Sequence, residues 1–194
     1  PRDAERGMNA QRALGAVRDV AKWLSNVPGR RKSLVLFSEG IEYDIYDVFN
    51  NRAASSIMAD AREAISGYYS NGIPSAQIVL TPGTSISYWY CFKLLAEPGD
   101  EILTPQPSYP LFDYIARLCG VTLTPYALDE SENWAIDLEH LELQISSRTR
   151  AIVLISPHNP TGMVASMEQL HELAGIAARY EVPIIADEVF NEFL

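Results

Sequence analysis

Apolar residues recur in two alternating spacings along most of the chain. Helical spacing, with apolar positions three or four residues apart, fills ranges 53–70, 85–96, 111–118, 138–145 and 167–180. Short apolar runs typical of buried strands lie between them, at 77–80, 101–104, 121–124, 151–155 and 182–186. Strands alternating with helices predict a mostly parallel sheet covered by helices on both faces. We therefore expect an α/β fold, a partial three-layer α/β/α structure.

The first 60 residues follow a different pattern. Residues 9–25 carry apolar positions at helical spacing, and residues 33–37 form an apolar strand that ends in Ser38, Glu39 and Gly40. One helix and one strand bury too little surface to be stable alone. We expect an N-terminal helix-strand fragment that another part of the protein must cover.

Composition excludes several kinds of partner. The net charge of −10 disfavours a nucleic-acid surface, which needs clustered Lys and Arg. No apolar run approaches the ~20 residues of a membrane span, and no signal-peptide pattern opens the chain. Cys91 and Cys119 lack metal-ligand spacing, as do the three histidines, so we expect no metal site and two free thiols. Free thiols are typical of a reducing compartment, and we expect a cytoplasmic protein.

A Gly-containing turn joins the strand at 77–80 to the next helix. Thr81, Pro82 and Gly83 precede a helix that begins near Thr84 and Ser85. Free backbone N–H groups, a helix N-terminus and two hydroxyls then meet at one point, which suits an anion such as phosphate. The same residues would also serve in an ordinary strand-to-helix turn with a Ser/Thr cap.

Polar or aromatic side chains follow three more of the predicted strands. Tyr109 stands between prolines after strand 101–104, and a rigid aromatic there can stack on a flat ring or simply cover a stiff loop. Asn159 follows strand 151–155 in a His-Asn-Pro-Thr-Gly segment that is also good turn chemistry. Asp187 ends strand 182–186, as a ligand-binding carboxylate or as a helix cap. Because parallel sheets bind ligands at this edge, Asn159 and Asp187 could grip a polar, partly cationic ring.

These four positions, in this order, resemble the large domain of class I/II aminotransferases over about residues 61–194. The resemblance implies pyridoxal phosphate as cofactor. It implies that Gly83, Thr84 and Ser85 hold the phosphate, that Tyr109 stacks on the ring, and that Asn159 donates to the ring oxygen. Asp187 would keep the ring nitrogen protonated, so that the ring accepts electrons from the substrate. Phe190 stands where the family usually has a tyrosine that also donates to the ring oxygen, so that donor is lost here.

The resemblance further implies amino-group transfer between an amino acid and a 2-oxo acid, in a homodimer. A decarboxylase, a lyase or a cofactor-using transcription regulator of the same fold would show the same four positions. The family's Schiff-base lysine is expected some 30–40 residues after the aspartate, beyond Leu194, and Lys22, Lys32 and Lys93 do not match it. We therefore expect no catalytic residue in this fragment, weak cofactor binding at most, and no turnover.

Residues 1–60 resemble an internal piece of a von Willebrand factor A-type domain, with Ser38, Glu39 and Gly40 standing for its Thr-Asp-Gly. That family's Asp-x-Ser-x-Ser motif is absent. The expected domains are therefore 1–60 and 61–194, with a possible chimeric seam near residues 60–66, where the segment suits both families. Two alternatives follow: a metal-dependent interaction module, or a chimeric product without a selected function.

Overall fold

The computed structural model describes residues 52–68, 73–81 and 83–190. The chain divides between Gly83 and Thr84 into two units, Pro1–Gly83 and Thr84–Leu194. The predicted N-terminal helix and strand, at 9–25 and 33–37, lie outside the described residues.

In the first unit the structure describes a long helix and a short helical turn. Helix α1 spans Arg52–Tyr68, and a 3-10 turn spans Ser75–Gln77. The Ser66 hydroxyl donates to the Ile73 carbonyl at 2.5 Å and so joins the end of the helix to the segment before the turn. Helix α1 runs unbroken through residues 60 and 61, where the predicted domain boundary lies. That boundary stays a prediction.

The second unit is built on a sheet whose described strands number five. They are β1 (Glu101–Gln106), β2 (Thr122–Asp129), β3 (Ala135–Ile136), β4 (Thr149–Ile155) and β5 (Ile184–Asp187), and their order across the sheet is β3-β2-β1-β4-β5. Strands β2, β1, β4 and β5 are parallel, and only β3 runs antiparallel to its neighbour β2. The predicted mostly parallel sheet is confirmed.

One helix leads into the first strand, and three more connect the strands that follow. They are α2 (Thr84–Leu95), α3 (Phe112–Cys119), α4 (Leu138–Gln144) and α5 (Met167–Arg179). Local sequence sets their ends: the Asp137 side chain accepts from the His140 N–H at the start of α4, and Gly120 ends α3 at a φ of 74°. Ser166 and Gln169 form a reciprocal capping box at the start of α5. None of the helices in the described part of the chain is long and apolar enough to cross a membrane.

Both faces of the sheet are buried, which explains why its strands are continuous apolar runs. On β4, Ile152 and Leu154 face a core that includes Leu141 of α4 and Leu173 of α5. The alternate residues Ala151, Val153 and Ile155 face a second core. That second core is formed with the buried residues of α2 and α3: Tyr88, Phe92, Phe112, Ile115, Ala116 and Cys119. The three-layer α/β/α arrangement is therefore confirmed.

A buried carboxylate fastens the start of β1 to the loop before β4. Glu101 accepts from the Ser146 hydroxyl at 2.6 Å and from Arg148 Nε at 2.9 Å, and Arg148 Nη2 forms an ion pair with it. The bond from Ser146 is the largest cause of a lowered Glu101 pKa, and the Arg148 charge lowers it further, while burial opposes both. Glu101 is therefore ionised at neutral pH and holds the edge opposite the carboxyl ends of the strands.

The structure corrects one predicted strand and extends another. Range 77–80 forms no strand: Gln77 N–H and Ile78 N–H bond to the carbonyls of Pro74 and Ser75, which closes the 3-10 turn. No strand of the described residues pairs with this run, so its backbone groups bond locally and the turn is formed instead. Strand β2 continues to Asp129, five residues past its predicted end, because it pairs along β1 and then with β3.

Candidate functional site

The sheet order gathers three of the predicted site residues at one edge. Tyr109, Asn159 and Asp187 follow or end β1, β4 and β5, which are neighbours in the sheet. Ile155 at the end of β4 pairs with Asp187, and the Ser156 N–H donates to the Asp187 carbonyl at 3.0 Å. The loop that carries Asn159 therefore starts beside the strand end that carries Asp187.

The Asp187 carboxylate is held by two donors. The Tyr88 hydroxyl donates to Oδ2 at 2.6 Å, and the Val189 N–H donates to Oδ1 at 2.9 Å. Burial, and then the negative charge of Asp187, raise the pKa of the Tyr88 phenol far above its ordinary value, so the hydroxyl remains a donor. An ionised carboxylate accepts at about four lone-pair positions, so positions remain for a cationic N–H.

The first turn of α2 meets the Tyr109 loop. Ser85 Oγ lies 3.5 Å from Tyr109 Oη, and Thr84 is the first residue of the helix. Two hydroxyls and the helix N-terminus thus stand next to the predicted stacking aromatic, an arrangement that suits an anionic group on a ring substituent. Gly83 ends the first unit, and a Cβ there would meet no heavy atom of the described chain within 4 Å.

The loop that carries Asn159 folds back on itself. His158 N–H donates to the Met163 carbonyl and Gly162 N–H to the His158 carbonyl, both at 2.7 Å. His158 Nδ1 lies 2.8 Å from Thr161 Oγ1. Burial lowers the pKa of His158, with the Pro107 carbonyl opposing it, so the buried imidazole is neutral at pH 7. The loop thus holds the half-buried Asn159 in a defined turn after β4.

An aromatic cluster supports two parts of the site. Phe112 packs edge-to-face on Tyr88, with ring centroids 4.7 Å apart, and on Tyr109, at 5.6 Å. Phe92 lies behind them, 6.1 Å from Tyr88. Phe112 is buried at the start of α3 and so links the aromatic at one end of the site with the partner of Asp187 at the other.

Phe190 lies half-buried in the turn after β5. Its ring has no hydroxyl, so it brings an apolar surface to the position where the resembling family places a donor.

Comparison with known proteins gives the family. The family model described as aminotransferase class I and II matches residues 37–194. The chain belongs to this family. Human tyrosine aminotransferase is 34% identical over 149 residues, covering 75% of this chain and 33% of its own length. Glutamate-pyruvate aminotransferase AlaA of Haemophilus influenzae is 37% identical over 138 residues, covering 69% of this chain and 34% of its own length.

Solved aminotransferases share the fold. Alanine aminotransferase from Pyrococcus furiosus has 28% identity and a TM-score of 0.64, covering 91% of this chain and 40% of its own. A PLP-bound aminotransferase from Clostridium difficile has 26% identity and a TM-score of 0.61, covering 66% of this chain and 34% of its own. This aminotransferase chain spans about a third of the length of the curated relatives it matches. The family match starts at residue 37 and so includes Ser38, Glu39 and Gly40, on which the von Willebrand resemblance depends. The structure describes none of those three residues.

Class I/II aminotransferases use pyridoxal phosphate, and the residues present suit that group. The edge offers a carboxylate for the ring nitrogen, an amide for the ring oxygen, and hydroxyls at a helix N-terminus for the phosphate. The Ser108 hydroxyl, beside Tyr109, is buried and has no hydrogen-bond partner among the described residues. A buried unpaired hydroxyl costs free energy that a polar ligand would recover. The roles assigned to the seven site residues remain predictions.

Sequence reasoning missed Tyr88 and Phe112. Tyr88 stands three residues after Ser85 on α2, so the two side chains share one helix face. That spacing was available in the sequence and could have marked Tyr88 as facing the same site. Nothing local indicates its partner, because Asp187 is 99 residues away in the chain. Phe112 has no comparable signal, since a buried phenylalanine at a helix start is ordinary core.

Proposed function

We propose that this chain binds pyridoxal phosphate and serves amino-group transfer between an amino acid and a 2-oxo acid. One observation carries the proposal: Asp187, fixed by Tyr88 and Val189, ends the strand beside the one that leads to Asn159. A fixed carboxylate and an amide at neighbouring strand ends suit the two polar positions of the pyridine ring. Membership in the aminotransferase family supports the choice of reaction.

Each site residue has a separate chemical role in this proposal. Pyridoxal phosphate supplies, when bound, a ring that accepts electrons from a substrate carbanion. Asp187 holds the proton on the ring nitrogen by ion pairing. Asn159 donates its amide N–H to the ring oxygen, and Tyr109 covers one face of the ring. Thr84, Ser85 and the N-terminus of α2 bind the phosphate.

Lys93 does not act as the covalent nucleophile. Its ammonium donates to the Cys119 carbonyl at 3.3 Å, at the far end of α3 from Phe112. We propose that the chain binds the cofactor without forming a covalent bond to it. No turnover is expected from the 194-residue chain alone, and amino transfer to a 2-oxo acid by that purified chain would contradict this expectation.

The binding test uses pyridoxamine 5′-phosphate, which needs no lysine. Its fluorescence is followed as the 194-residue chain is added, to millimolar concentration, for wild type and for Asp187→Asn. We expect saturable binding that weakens about tenfold or more in Asp187→Asn, because a charge-assisted hydrogen bond contributes roughly 1.5–3 kcal/mol. Tyr90→Phe, an exposed change on α2, is the matched control and should bind like wild type. Equal binding by wild type and Asp187→Asn, or none by either, would overturn the proposal.

We also propose a homodimer in the cytoplasm. Membership in the aminotransferase family supports the homodimer. The two free cysteines, Cys91 and Cys119, support the cytoplasmic location. Light scattering after size exclusion tests the dimer: a mass of twice 21.6 kDa is expected, and a monomer at all concentrations would refute it. Imaging of a tagged protein in its native cells tests the location, and an extracytoplasmic signal would refute it.

A further inference from the structure

The strongest unassigned contact joins α2 to the end of β5. Tyr88 Oη lies 2.6 Å from Asp187 Oδ2, the length of a charge-assisted O–H···O⁻ hydrogen bond. The Val189 N–H occupies the other carboxylate oxygen at 2.9 Å. Among the described residues, each oxygen therefore accepts from a donor of the protein, and together the two donors fix the plane of the carboxylate.

The Tyr88 ring has little freedom to move. It is 3% exposed and lies edge-to-face against Phe112, at 4.7 Å, and against Phe92, at 6.1 Å. A rigid ring delivers its hydroxyl to one point, so the orientation of Asp187 is set by packing in the core between α2 and the sheet. Burial raises the pKa of this phenol, which keeps the proton on the tyrosine, so its hydroxyl is the donor in this hydrogen bond.

The same helix carries the predicted phosphate contacts. Ser85 stands one turn before Tyr88 on α2, and Ser85 Oγ lies 3.5 Å from Tyr109 Oη. One rigid element therefore reaches both the hydroxyl predicted to bind the phosphate and the carboxylate predicted to bind the ring nitrogen. Pyridoxal phosphate carries its phosphate arm on the ring carbon two positions from the ring nitrogen, so α2 would fix the distance between the protein groups predicted to bind the phosphate and the nitrogen.

We propose that Tyr88 is a positioning residue, whose hydroxyl aims the Asp187 carboxylate at the ring nitrogen of the cofactor. The inference rests on the proposed function, since it needs a ring nitrogen at this place. In this proposal Tyr88 acts through its hydrogen bond to Asp187 and not by contact with the cofactor. It is therefore distinct from the residues that bind the ring or the phosphate directly.

The first arm of the experiment measures the contact without any ligand. Urea unfolding of the 194-residue chain is compared for wild type, Tyr88→Phe, Asp187→Asn and the double variant, with Asp187→Ala as a second removal of the carboxylate. A charge-assisted bond predicts non-additive changes, with a coupling of about tenfold or more in the unfolding equilibrium constant. Additive changes with both Asp187 variants would overturn the contact and with it the positioning role.

The second arm asks whether the hydroxyl acts on the ring nitrogen. Pyridoxamine 5′-phosphate is compared with its analogue in which a C–H group replaces the ring nitrogen. We expect Tyr88→Phe to weaken the binding of pyridoxamine 5′-phosphate about tenfold. The dissociation constant of the analogue without the ring nitrogen should stay within about twofold of its wild-type value. Tyr126→Phe is the matched control, because it removes a buried hydroxyl that donates to the neutral Val153 carbonyl at 2.8 Å. Tyr126→Phe should lower the stability of the chain and should not distinguish between the two ligands in binding.

The outcomes separate the two proposals. Equal losses for both ligands in Tyr88→Phe would make the tyrosine a structural residue and overturn the inference, while the proposed function stands. Binding of neither ligand by wild type would overturn the proposed function, and the positioning role with it. The coupling between Tyr88 and Asp187 in the unfolding experiment would still show whether the contact itself exists.

Discussion

Replacing Phe112 by leucine tests the aromatic cluster under the site. Phe112 is 1% exposed and Phe92 is fully buried, so Phe112→Leu and Phe92→Leu lose similar apolar burial. They differ in ring contacts: Phe112 has two edge-to-face neighbours, at 4.7 and 5.6 Å, whereas the neighbours of Phe92 lie at 6.1 and 6.4 Å. A well-formed aromatic pair contributes about 0.5–1.5 kcal/mol beyond burial.

Phe112 has two edge-to-face contacts and Phe92 has one, with Tyr88, so Phe112→Leu should be the less stable variant by about 0.5–1.5 kcal/mol. Urea unfolding checks this value. With an m-value near 2 kcal/mol per molar, the midpoint of Phe112→Leu should lie about 0.25–0.75 M below that of Phe92→Leu.

The two variants should also differ in ligand binding. Phe112 supports Tyr109 as well as Tyr88, so Phe112→Leu should weaken binding of pyridoxamine 5′-phosphate several-fold more than Phe92→Leu does. A Phe92→Leu variant that is equally or more destabilised, and equally impaired in binding, would refute the assignment of Phe112 as the link between the two tyrosines.

Three further predictions concern the stability of the second unit, all measured by unfolding. Because its partners lower the pKa of Glu101, its stabilisation is present above pH ~4.5 and is lost as the pH falls; Glu101→Gln should therefore flatten the decline in Tm below that pH, and an unchanged decline would contradict it. Ser166→Ala removes the capping-box acceptor for the Gln169 N–H at 3.1 Å and should cost about 1 kcal/mol; no change would mean that the cap is not formed. Ile152→Ala, fully buried in β4, should cost about 2–5 kcal/mol, whereas Leu143→Ala, an exposed control, should cost far less; equal losses would contradict the core assignment.

Much of the second unit could be predicted from sequence because its signals are local. The run at 151–155 is apolar throughout, which is what a strand covered on both faces requires. Asp137 and Ser166 mark helix starts through a side chain and a backbone group only three residues apart. Such signals need no knowledge of distant parts of the chain.

The rest depends on contacts between distant residues. Whether the run at 77–80 becomes a strand depends on a neighbour to pair with, which its own composition does not specify. Strand β2 extends through Pro125 because β1 continues beside it, although proline normally disfavours a strand interior. At the site, the positions of Tyr109, Asn159 and Asp187 follow from strand ends. The bond from Tyr88 to Asp187 depends on how α2 packs on the sheet.

Asp187 is proposed to keep the ring nitrogen of the cofactor protonated, and the most direct test is to measure the protonation state of that nitrogen in the bound ligand. Pyridoxamine 5′-phosphate labelled with ¹⁵N in the ring is bound to the 194-residue chain, and its nitrogen chemical shift is measured at a pH above the pKa of the free ligand. We expect a shift in the pyridinium range with wild type and in the neutral pyridine range with Asp187→Asn. A neutral pyridine signal with wild type would contradict the role of Asp187 as the partner of the ring nitrogen.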